Sequence, residues 1–245
     1  MTTLRHDVIG GSGAMFDRIA DRYDRLNRIL SFGLDRGWRK RAINALQLSS
    51  ETRVLDVATG TGDIAIAIAR HCPGARVTGV DPSVKMLAVG TGKITAGGLG
   101  ERVSLQLGDA QQLDFPDHSF DSAVVAFGIR NIPNRALALR EIARVVRPGG
   151  RLAVLELSEP SSTGIWGNVA RFYLHVFVPR IGAWLSKAAE YRYLQRSIAA
   201  FPPARQFVGL MEDNGWTSVS FTSLTFGVVQ LYVGTVPYPS AEVVK

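Results

Sequence analysis

Acidic residues surround a glycine-rich turn in the first half of the chain. Asp56 ends a short apolar run, a Gly-Thr-Gly turn follows at residues 60–62, and the spacing of apolar residues predicts a helix over 64–70. A strand, a glycine turn and a helix in this order let a ligand lie against a helix N-terminus. Asp81 ends the next predicted strand about 20 residues after Gly60, where a carboxylate can accept both hydroxyls of a ribose. The pattern predicts a nucleoside-binding site.

The charge around the turn distinguishes two nucleoside ligands. Gly60, Gly62 and Ala65 also fit the glycine fingerprint of a dinucleotide site. Asp56 and Asp63, however, would repel a pyrophosphate at close range. The two carboxylates suit a ligand whose polar end carries an ammonium and a sulfonium, and S-adenosylmethionine combines these with adenosine and no phosphate. We therefore predict S-adenosylmethionine, rather than NAD, as the cofactor.

Segments along nearly the whole chain resemble a known family. On the cofactor side, LDVATGTGD (55–63), DPSVKML (81–87) and GDA (108–110) resemble the class I S-adenosylmethionine methyltransferases. Five further segments are more specific: YDRLN (23–27), SFGLDRGWR (31–39), FGIRN (127–131), YRYL (191–194) and LTFGVV (224–229). With them the chain resembles the quinone-biosynthesis C-methyltransferases from residue 16 to residue 234. The resemblance implies methylation of demethylmenaquinol, of 2-methoxy-6-polyprenyl-1,4-benzoquinol, or of both.

The residues predicted to bind the cofactor divide among the parts of S-adenosylmethionine. They are Asp56, Gly60, Thr61, Gly62, Asp81, Met86, Asp109, Ala110 and Phe127. Asp56 and the glycine turn are expected to hold the amino-acid end, and Asp81 the ribose. The resemblance implies that Asp109 and the Ala110 backbone contact the adenine amino group. Met86 and Phe127 are placed to sandwich the adenine ring.

The acceptor needs activation, because a quinol ring carbon is a poor nucleophile until a neighbouring hydroxyl ionises. A phenol with a pKa of about 10 is hardly ionised at neutral pH. A cation beside that oxygen would stabilise the phenolate and the transition state that follows from it. We predict Arg130 as this catalytic cation, with Asn131 and a water orienting and taking the proton, and the resemblance singles out the same pair. The alternative role of Arg130 is a salt-bridge anchor. Tyr191 and Arg192 are predicted to line the acceptor side.

Strand and helix patterns alternate from residue 51 to residue 157, which is typical of a parallel doubly wound sheet. Strands are predicted over 54–57, 77–81, 102–107, 122–127 and 152–157. Predicted site residues follow the carboxyl ends of four strands, where open α/β sheets bind ligands. Together with the resemblance, this predicts a Rossmann-like α/β fold of the class I methyltransferase type. Its mostly parallel seven-stranded sheet would carry N-terminal cap helices and a helical insertion after strand five.

A single methyltransferase domain is expected over residues 1–245. Residues 1–48 would supply a mobile arm and the cap helices, and residues 51–160 the cofactor-binding core. Residues 161–201 interrupt the alternation with a long, aromatic-rich helical segment. This insertion would lie over the strand ends and form an apolar trough for a prenyl tail. A helix and an antiparallel hairpin at the sheet edge are predicted over residues 202–245.

Composition and charge limit the kinds of partner and the cellular location that we expect. A net charge of +7 favours an anionic partner. The arginines of the first predicted helix form either a solvated face or a contact with the anionic inner face of a membrane. One cysteine and four histidines form no metal constellation, so no metal is predicted. With no secretory leader and no apolar run of roughly 20 residues, we expect a cytoplasmic, peripheral membrane protein that binds a prenylated quinol. The oligomeric state is open, a homodimer included.

Two other functions stay open. The nearer one keeps S-adenosylmethionine and methylates another small aromatic or lipid acceptor. The second is nucleic-acid binding or methylation, which the basic charge would also favour. Base methyltransferases, however, usually carry Asn-Pro-Pro-Tyr or Pro-Cys after the fourth strand, and FGIRN at residues 127–131 is neither. We therefore predict no nucleic-acid partner.

Overall fold

The computed structural model describes residues 13–159 and 188–239, and of residues 13–14 and 188–192 it describes the backbone alone. One sheet contains the strands β1 Arg53–Val57, β2 Arg76–Asp81, β3 Val103–Leu107, β4 Phe120–Ala126, β5 Val146–Leu157, β6 Thr217–Leu224 and β7 Val229–Thr235. The described helices are α1 Gly13–Leu30, α2 Asp35–Ala45, α3 Asp63–His71, α4 Val84–Ala96, α5 Arg135–Val145, α6 Ala188–Ala199 and α7 Ala204–Glu212. Single turns of 3-10 helix, Ile129–Asn131 and Thr225–Gly227, follow β4 and β6.

The sheet has seven strands in the order β3-β2-β1-β4-β5-β7-β6. Neighbours among the first five strands pair in parallel, so that Val54 of β1 aligns with Val77 of β2 and with Ser122 of β4. β7 lies antiparallel to both β5 and β6, and β6 therefore runs in the same direction as β1. The carboxyl ends of β1 to β6 share one edge of the sheet, which we call the carboxyl edge.

Helices cover both faces of the sheet because its central strands are apolar along most of their length. Successive residues of one strand point to opposite faces, and in β4 Val124 belongs to one core while Ala123 and Val125 belong to the other. The first core includes Ile68 of α3, and the second includes Ile142 of α5. All five side chains are fully buried. This double burial holds the carboxyl edge rigid.

The predicted fold class is confirmed, and the largest boundary difference is at β5. The sequence pattern predicts this strand from residue 152, whereas it begins at Val146. Val146 pairs with Phe120, and the register shifts between that pair and Ser122. Gly149 adopts a φ of +77°, which glycine tolerates, so the chain bends within the strand instead of ending it.

The predicted edge hairpin is confirmed, because β6 and β7 pair antiparallel at the end of the sheet. The arm predicted at the N-terminus lies, up to residue 12, outside the described residues. Most of the insertion predicted over 161–201 also lies outside the described residues, which begin again at α6. Among the described helices, none is long and apolar enough to cross a bilayer.

The first two helices cover the carboxyl edge, as the sequence predicts for cap helices. The Asp17 Oδ1 atom of α1 accepts hydrogen bonds from the Ser83 hydroxyl at 2.6 Å and from the Lys85 N–H at 3.2 Å, at the start of α4. The Trp38 indole N–H of α2 donates to the Thr225 hydroxyl at 2.8 Å, just after β6. These polar contacts attach the helices to loops at the carboxyl edge.

Candidate active site

The turn after β1 has a backbone that glycine adopts more easily than other residues. Gly60 and Gly62 have φ values of +57° and +74°, and Gly62 is the N-terminal cap residue of α3. The first N–H groups of a helix have no partner within the helix and are available to a ligand. The Gly60 N–H donates to the Asp81 Oδ2 atom at 2.9 Å, so the turn after β1 and the acid at the end of β2 are joined directly.

The Asp81 carboxylate is held by two backbone N–H groups. Its Oδ2 atom accepts from Gly60 and its Oδ1 atom from Ser83, each at 2.9 Å. Burial raises the pKa of Asp81, and the two hydrogen bonds oppose that rise. Each carboxylate oxygen can accept a further hydrogen bond. The carboxylate is therefore oriented in advance for two neighbouring hydroxyl groups.

Asp56 is fully buried at the end of β1. Its Oδ2 atom accepts from the Thr59 hydroxyl at 2.6 Å, whereas its Oδ1 atom has no hydrogen-bond partner within the described part of the chain. Burial raises the pKa of Asp56 to about 7, the Thr59 hydrogen bond opposes this rise and the charge of Asp81 adds to it. A buried, unpartnered carboxylate oxygen beside the turn is a group that a cationic ligand would stabilise.

A cleft lies at the carboxyl edge and opens to solvent, and the empty space in it and in its mouth amounts to about 860 Å³. Its lining includes these predicted residues: Gly60, Asp81, Met86, Asp109, Ala110, Phe127 and Asn131. Asp56, Thr61, Gly62 and Arg130 lie outside the lining, and their predicted ligand contacts stay predictions. Tyr191 and Arg192 belong to α6, but their side chains lie outside the described residues. The described side chains form no cluster of three or more potential metal ligands.

The large apolar side chains of Met86 and Phe127 line the cleft. Met86 of α4 is buried beneath Ile19 and Ala20 of α1. The Phe127 ring lies edge-on to Trp38, with ring centroids 6.1 Å apart, and the Arg39 guanidinium lies 5.8 Å from its centroid. Phe127 also has a φ of +60°, which is unusual for a bulky residue and is typical of positions held for function. Large apolar side chains of this kind suit a flat, apolar ring.

Asp109 follows β3 and lines the cleft. Its Oδ1 atom accepts from the Gln111 backbone N–H at 2.9 Å and from the Gln111 side-chain amide at 3.1 Å. Gln111 also lines the cleft. The carboxylate is thus fixed at the rim, and Gln111 is a lining residue that the sequence pattern did not reveal.

Helix α1 contributes side chains to the cleft that were not predicted as site residues from the sequence. Phe16 and Tyr23 line the cleft, with ring centroids 6.0 Å apart. Burial raises the pKa of Tyr23, although the nearby charges of Arg130 and Arg39 oppose this rise. The signal that could have identified Tyr23 is its place in the segment YDRLN.

A charge network fastens α1 to the glycine turn. The Thr61 hydroxyl donates to the Asp24 Oδ1 atom at 2.6 Å. The Lys93 ammonium of α4 donates to the Asp24 Oδ2 atom at 2.7 Å and also pairs with Asp63. Because the Thr61 hydroxyl already donates its hydrogen to Asp24, the Thr61 backbone N–H is the better candidate for a ligand contact.

Arg130 is buried as one half of an ion pair. Its Nη1 atom donates to the Glu156 Oε1 atom at 2.6 Å and to the Phe127 carbonyl at 2.7 Å, and its backbone N–H donates to the Glu156 Oε2 atom at 3.1 Å. The side chains of Arg130 and Glu156 are 7% and 0% exposed. The sequence analysis missed Glu156, although an acid within the apolar run of β5 is a signal that it has a buried partner.

Asn131 reaches the cleft from the same 3-10 turn. Its Oδ1 atom accepts a hydrogen bond from the Tyr193 hydroxyl of α6 at 3.0 Å. The contact joins the turn after β4 to a helix 62 residues further along the chain. Asn131 is therefore the member of the predicted catalytic pair that contacts the cleft directly.

Solved structures share this architecture. An S-adenosylmethionine-dependent methyltransferase from Aquifex aeolicus superimposes with a TM-score of 0.64 at 16% identity, covering 90% of this chain and 98% of that one. The [4+2]-cyclase SpnF gives a TM-score of 0.68 at 19% identity, covering 93% and 95%. At such identities the likeness concerns the fold alone, and one fold hosts several chemistries. The sheet order and the helical layers are those of the class I S-adenosylmethionine methyltransferases.

The chain belongs to the ubiE/COQ5 methyltransferase family, whose family model matches residues 5–236. It is 46% identical over 220 residues to the ubiquinone/menaquinone biosynthesis C-methyltransferase UbiE of Syntrophotalea carbinolica, covering 90% of this chain and 92% of that one. It is 44% identical over 223 residues to the demethylmenaquinone methyltransferase of Porphyromonas gingivalis, covering 90% and 91%. The predicted family is confirmed, and the protein is a methyltransferase.

Proposed function

We propose that the protein transfers a methyl group from S-adenosylmethionine to a ring carbon of a prenylated quinol, namely demethylmenaquinol, 2-methoxy-6-polyprenyl-1,4-benzoquinol, or both. The names of the curated relatives support this substrate class. The observation that carries the proposal is one cleft with two chemically different sides. Asp81 and Asp109 lie beside β2 and β3, and Asn131 follows β4. Donor and acceptor would meet between these sides.

The residues present fit S-adenosylmethionine. The two oxygens of Asp81 match the ribose hydroxyls, and the apolar side chains of Met86 and Phe127 match adenine. The unpartnered Oδ1 atom of Asp56 fits a cationic amino-acid end near the turn. When bound, the cofactor supplies a methyl group on a positively charged sulfur. The task of the protein on this side is to align that carbon with the acceptor.

On the acceptor side, hydrogen-bond donors would stabilise the quinol oxygen as it ionises. Arg130 contributes electrostatic stabilisation from behind the lining, although Glu156 compensates much of its charge. Arginine has a pKa above about 12 and is unsuited to remove a proton. Asn131 makes the direct contact because it lines the cleft.

The acceptor would be drawn from a membrane surface that faces the carboxyl edge. Exposed apolar side chains lie at the end of α1, in the turn between α1 and α2 and in the turn after β6: Ile29, Phe32, Leu34 and Phe226. The Trp38–Thr225 hydrogen bond joins α2 to the turn after β6. Exposed arginines at positions 25, 28 and 36 accompany them. Apolar side chains beside basic ones are typical of binding to anionic lipid.

Turnover with defined quinols tests the function. The purified protein receives methyl-labelled S-adenosylmethionine and a short-chain demethylmenaquinol or benzoquinol, kept reduced under nitrogen, and mass spectrometry locates the label. We expect one label on a ring carbon of the quinol, and none when the same quinones are left oxidised, because they lack an ionisable hydroxyl. Transfer to other small aromatic compounds but to neither quinol would refute the substrate class.

Vesicle sedimentation tests the membrane surface. The protein should bind phosphatidylcholine vesicles more strongly when they contain phosphatidylglycerol. Ile29→Ser with Leu34→Ser should reduce the bound fraction. Tyr238→Ser is the control, because Tyr238 is 74% exposed and follows β7 at the opposite edge of the sheet. Equal losses in both variants, or no binding to anionic vesicles, would refute this orientation.

A further inference from the structure

The side-chain amide of Asn131 is held in one orientation. An asparagine amide has one oxygen that accepts hydrogen bonds and one nitrogen that donates two. The Tyr193 hydroxyl donates to the Oδ1 atom of Asn131 at 3.0 Å. Asn131 also lines the cleft. With its oxygen engaged by α6, the amide has its N–H groups left to offer to a ligand.

The backbone beneath this amide is fixed as well. The Asn131 N–H donates to the Gly128 carbonyl at 3.0 Å. The Arg135 guanidinium donates to the carbonyls of Ile129 at 3.3 Å and Arg130 at 2.9 Å. Since these contacts fix the 3-10 turn, rotation of the terminal amide is the main freedom left to Asn131. Tyr193 restricts that rotation.

Tyr193 is suited to act as the donor in this pair. Its side chain is partly buried, and burial raises the pKa of its phenol above the ordinary 10.0, while the charges of Arg130 and Arg135 oppose this rise. The hydroxyl therefore keeps its proton at neutral pH. A protonated hydroxyl can donate to Oδ1 throughout the pH range in which the enzyme would be assayed.

We propose that Tyr193 is a positioning residue that turns the Nδ2 hydrogens of Asn131 toward the oxygen of the acceptor quinol. This inference rests on the proposed function and deepens it, because it makes Asn131 a hydrogen-bond donor to the ionising oxygen. The sequence analysis expected Asn131 and a water to take the proton. In the arrangement proposed, Asn131 stabilises the phenolate, and the proton leaves to solvent water.

Tyr193→Phe removes the hydroxyl and leaves the ring. We expect kcat at neutral pH to fall about tenfold, because one oriented hydrogen bond is lost from the transition state. The affinity for S-adenosylhomocysteine, measured by calorimetry, should not change. Tyr238→Phe removes an exposed hydroxyl at the opposite edge of the sheet and should leave both values unchanged. Equal kcat in Tyr193→Phe and the wild type would overturn the assignment.

The pH dependence of the loss in kcat distinguishes a positioning role of Tyr193 from a general loss of structure. If Asn131 stabilises the quinolate, the variant should require a higher pH for the same ionisation of the acceptor. The deficit of Tyr193→Phe should then shrink as the pH approaches the quinol pKa. A deficit of constant size at all pH values would indicate a structural role and would refute the proposal.

Asn131→Asp supplies an independent test, because it keeps the Oδ1 acceptor for Tyr193 and replaces the donating nitrogen by a carboxylate oxygen. We expect a larger loss than in Tyr193→Phe, and no further loss when both changes are combined, since the donor is already absent. Retained activity in Asn131→Asp would show that Asn131 acts through an acceptor and would refute the proposal. If the wild type methylates neither quinol, the proposed function fails and this inference fails with it.

Discussion

Replacing Arg130 by methionine should cost the protein both stability and activity, for different reasons. The substitution keeps an unbranched chain of similar length but removes the positive charge. It leaves the Glu156 carboxylate, which is 0% exposed, without its counter-ion. An uncompensated buried charge is far more costly than a missing surface ion pair.

The contacts of Glu156 determine how much stability Arg130→Met should cost. Removing one partner of a buried ion pair costs about 3–5 kcal/mol. The carboxylate would still accept hydrogen bonds from the backbone N–H groups of residue 130 at 3.1 Å and of Leu157 at 2.8 Å. These two hydrogen bonds favour the lower end of that range of cost. We therefore expect a loss of about 3 kcal/mol, or a urea midpoint lower by about 1 M for a slope of about 3 kcal/mol/M.

A second substitution separates the two roles of Arg130. Glu156→Gln, added to Arg130→Met, removes the buried charge and keeps one oxygen for the backbone N–H groups. The double variant should lie only about 1–2 kcal/mol below the wild type, since at most one buried N–H loses its acceptor. Methyl transfer should nevertheless stay about 100-fold or more below the wild-type rate in both variants, because the positive charge behind the cleft lining is gone.

Urea unfolding followed by tryptophan fluorescence gives the stabilities, and quinol turnover gives the rates. Calorimetry with S-adenosylhomocysteine should find donor binding intact in the double variant. If the double variant regained stability and returned to near the wild-type rate, Arg130 would be an anchor without a catalytic role. If Arg130→Met alone were as stable as the wild type, the reasoning about the buried carboxylate would be wrong.

Three further outcomes are expected. Asp81→Ala should weaken S-adenosylmethionine binding about 100-fold in calorimetry, because two hydrogen bonds from the ribose to a carboxylate would be lost. Unchanged affinity would reject the ribose contact. Burial raises the pKa of Asp56 from 3.8 to about 7, so the folded chain keeps a proton that the unfolded chain releases, and stability falls as the pH rises between these values. The Asp56→Asn variant lacks this titration and serves as the reference. Relative to it, the free energy of unfolding of the wild type should fall by up to about 4 kcal/mol as the pH rises through that range. A difference between the two proteins that does not change with pH would contradict the raised pKa. Tyr232→Phe should raise the free energy of unfolding by about 1 kcal/mol, because the hydroxyl is buried with no hydrogen-bond partner among the described residues. A lower unfolding temperature would mean that the hydroxyl is satisfied.

The order of the elements could be predicted because its signals are local. Apolar periodicity and punctuation by glycine predict β2 over residues 77–81, and the strand spans Arg76–Asp81. Once the strands are parallel, their carboxyl ends must share an edge. The meeting of Asp81, Asp109 and Asn131 at one cleft follows from that topology.

The start of β5 was harder to predict for a physical reason. Pro148, Gly149 and Gly150 are residues that usually end a helix or form a turn. Pairing of Val146 with Phe120 extends the strand through them. Tertiary pairing therefore overrides the local preference, which no pattern within the segment itself reveals.

The amino-acid sequence by itself determined the fold class, the family and several of the residues that line the cleft, because each depends on local pattern or on matching segments. The tertiary structure alone decided how those residues are paired. Glu156 compensates Arg130, Asp24 occupies the Thr61 hydroxyl, and Tyr193 orients Asn131. Each contact joins residues far apart in the chain, and burial makes each one energetically significant. Which polar group is left to act on a ligand is therefore settled only when the helices and loops come together.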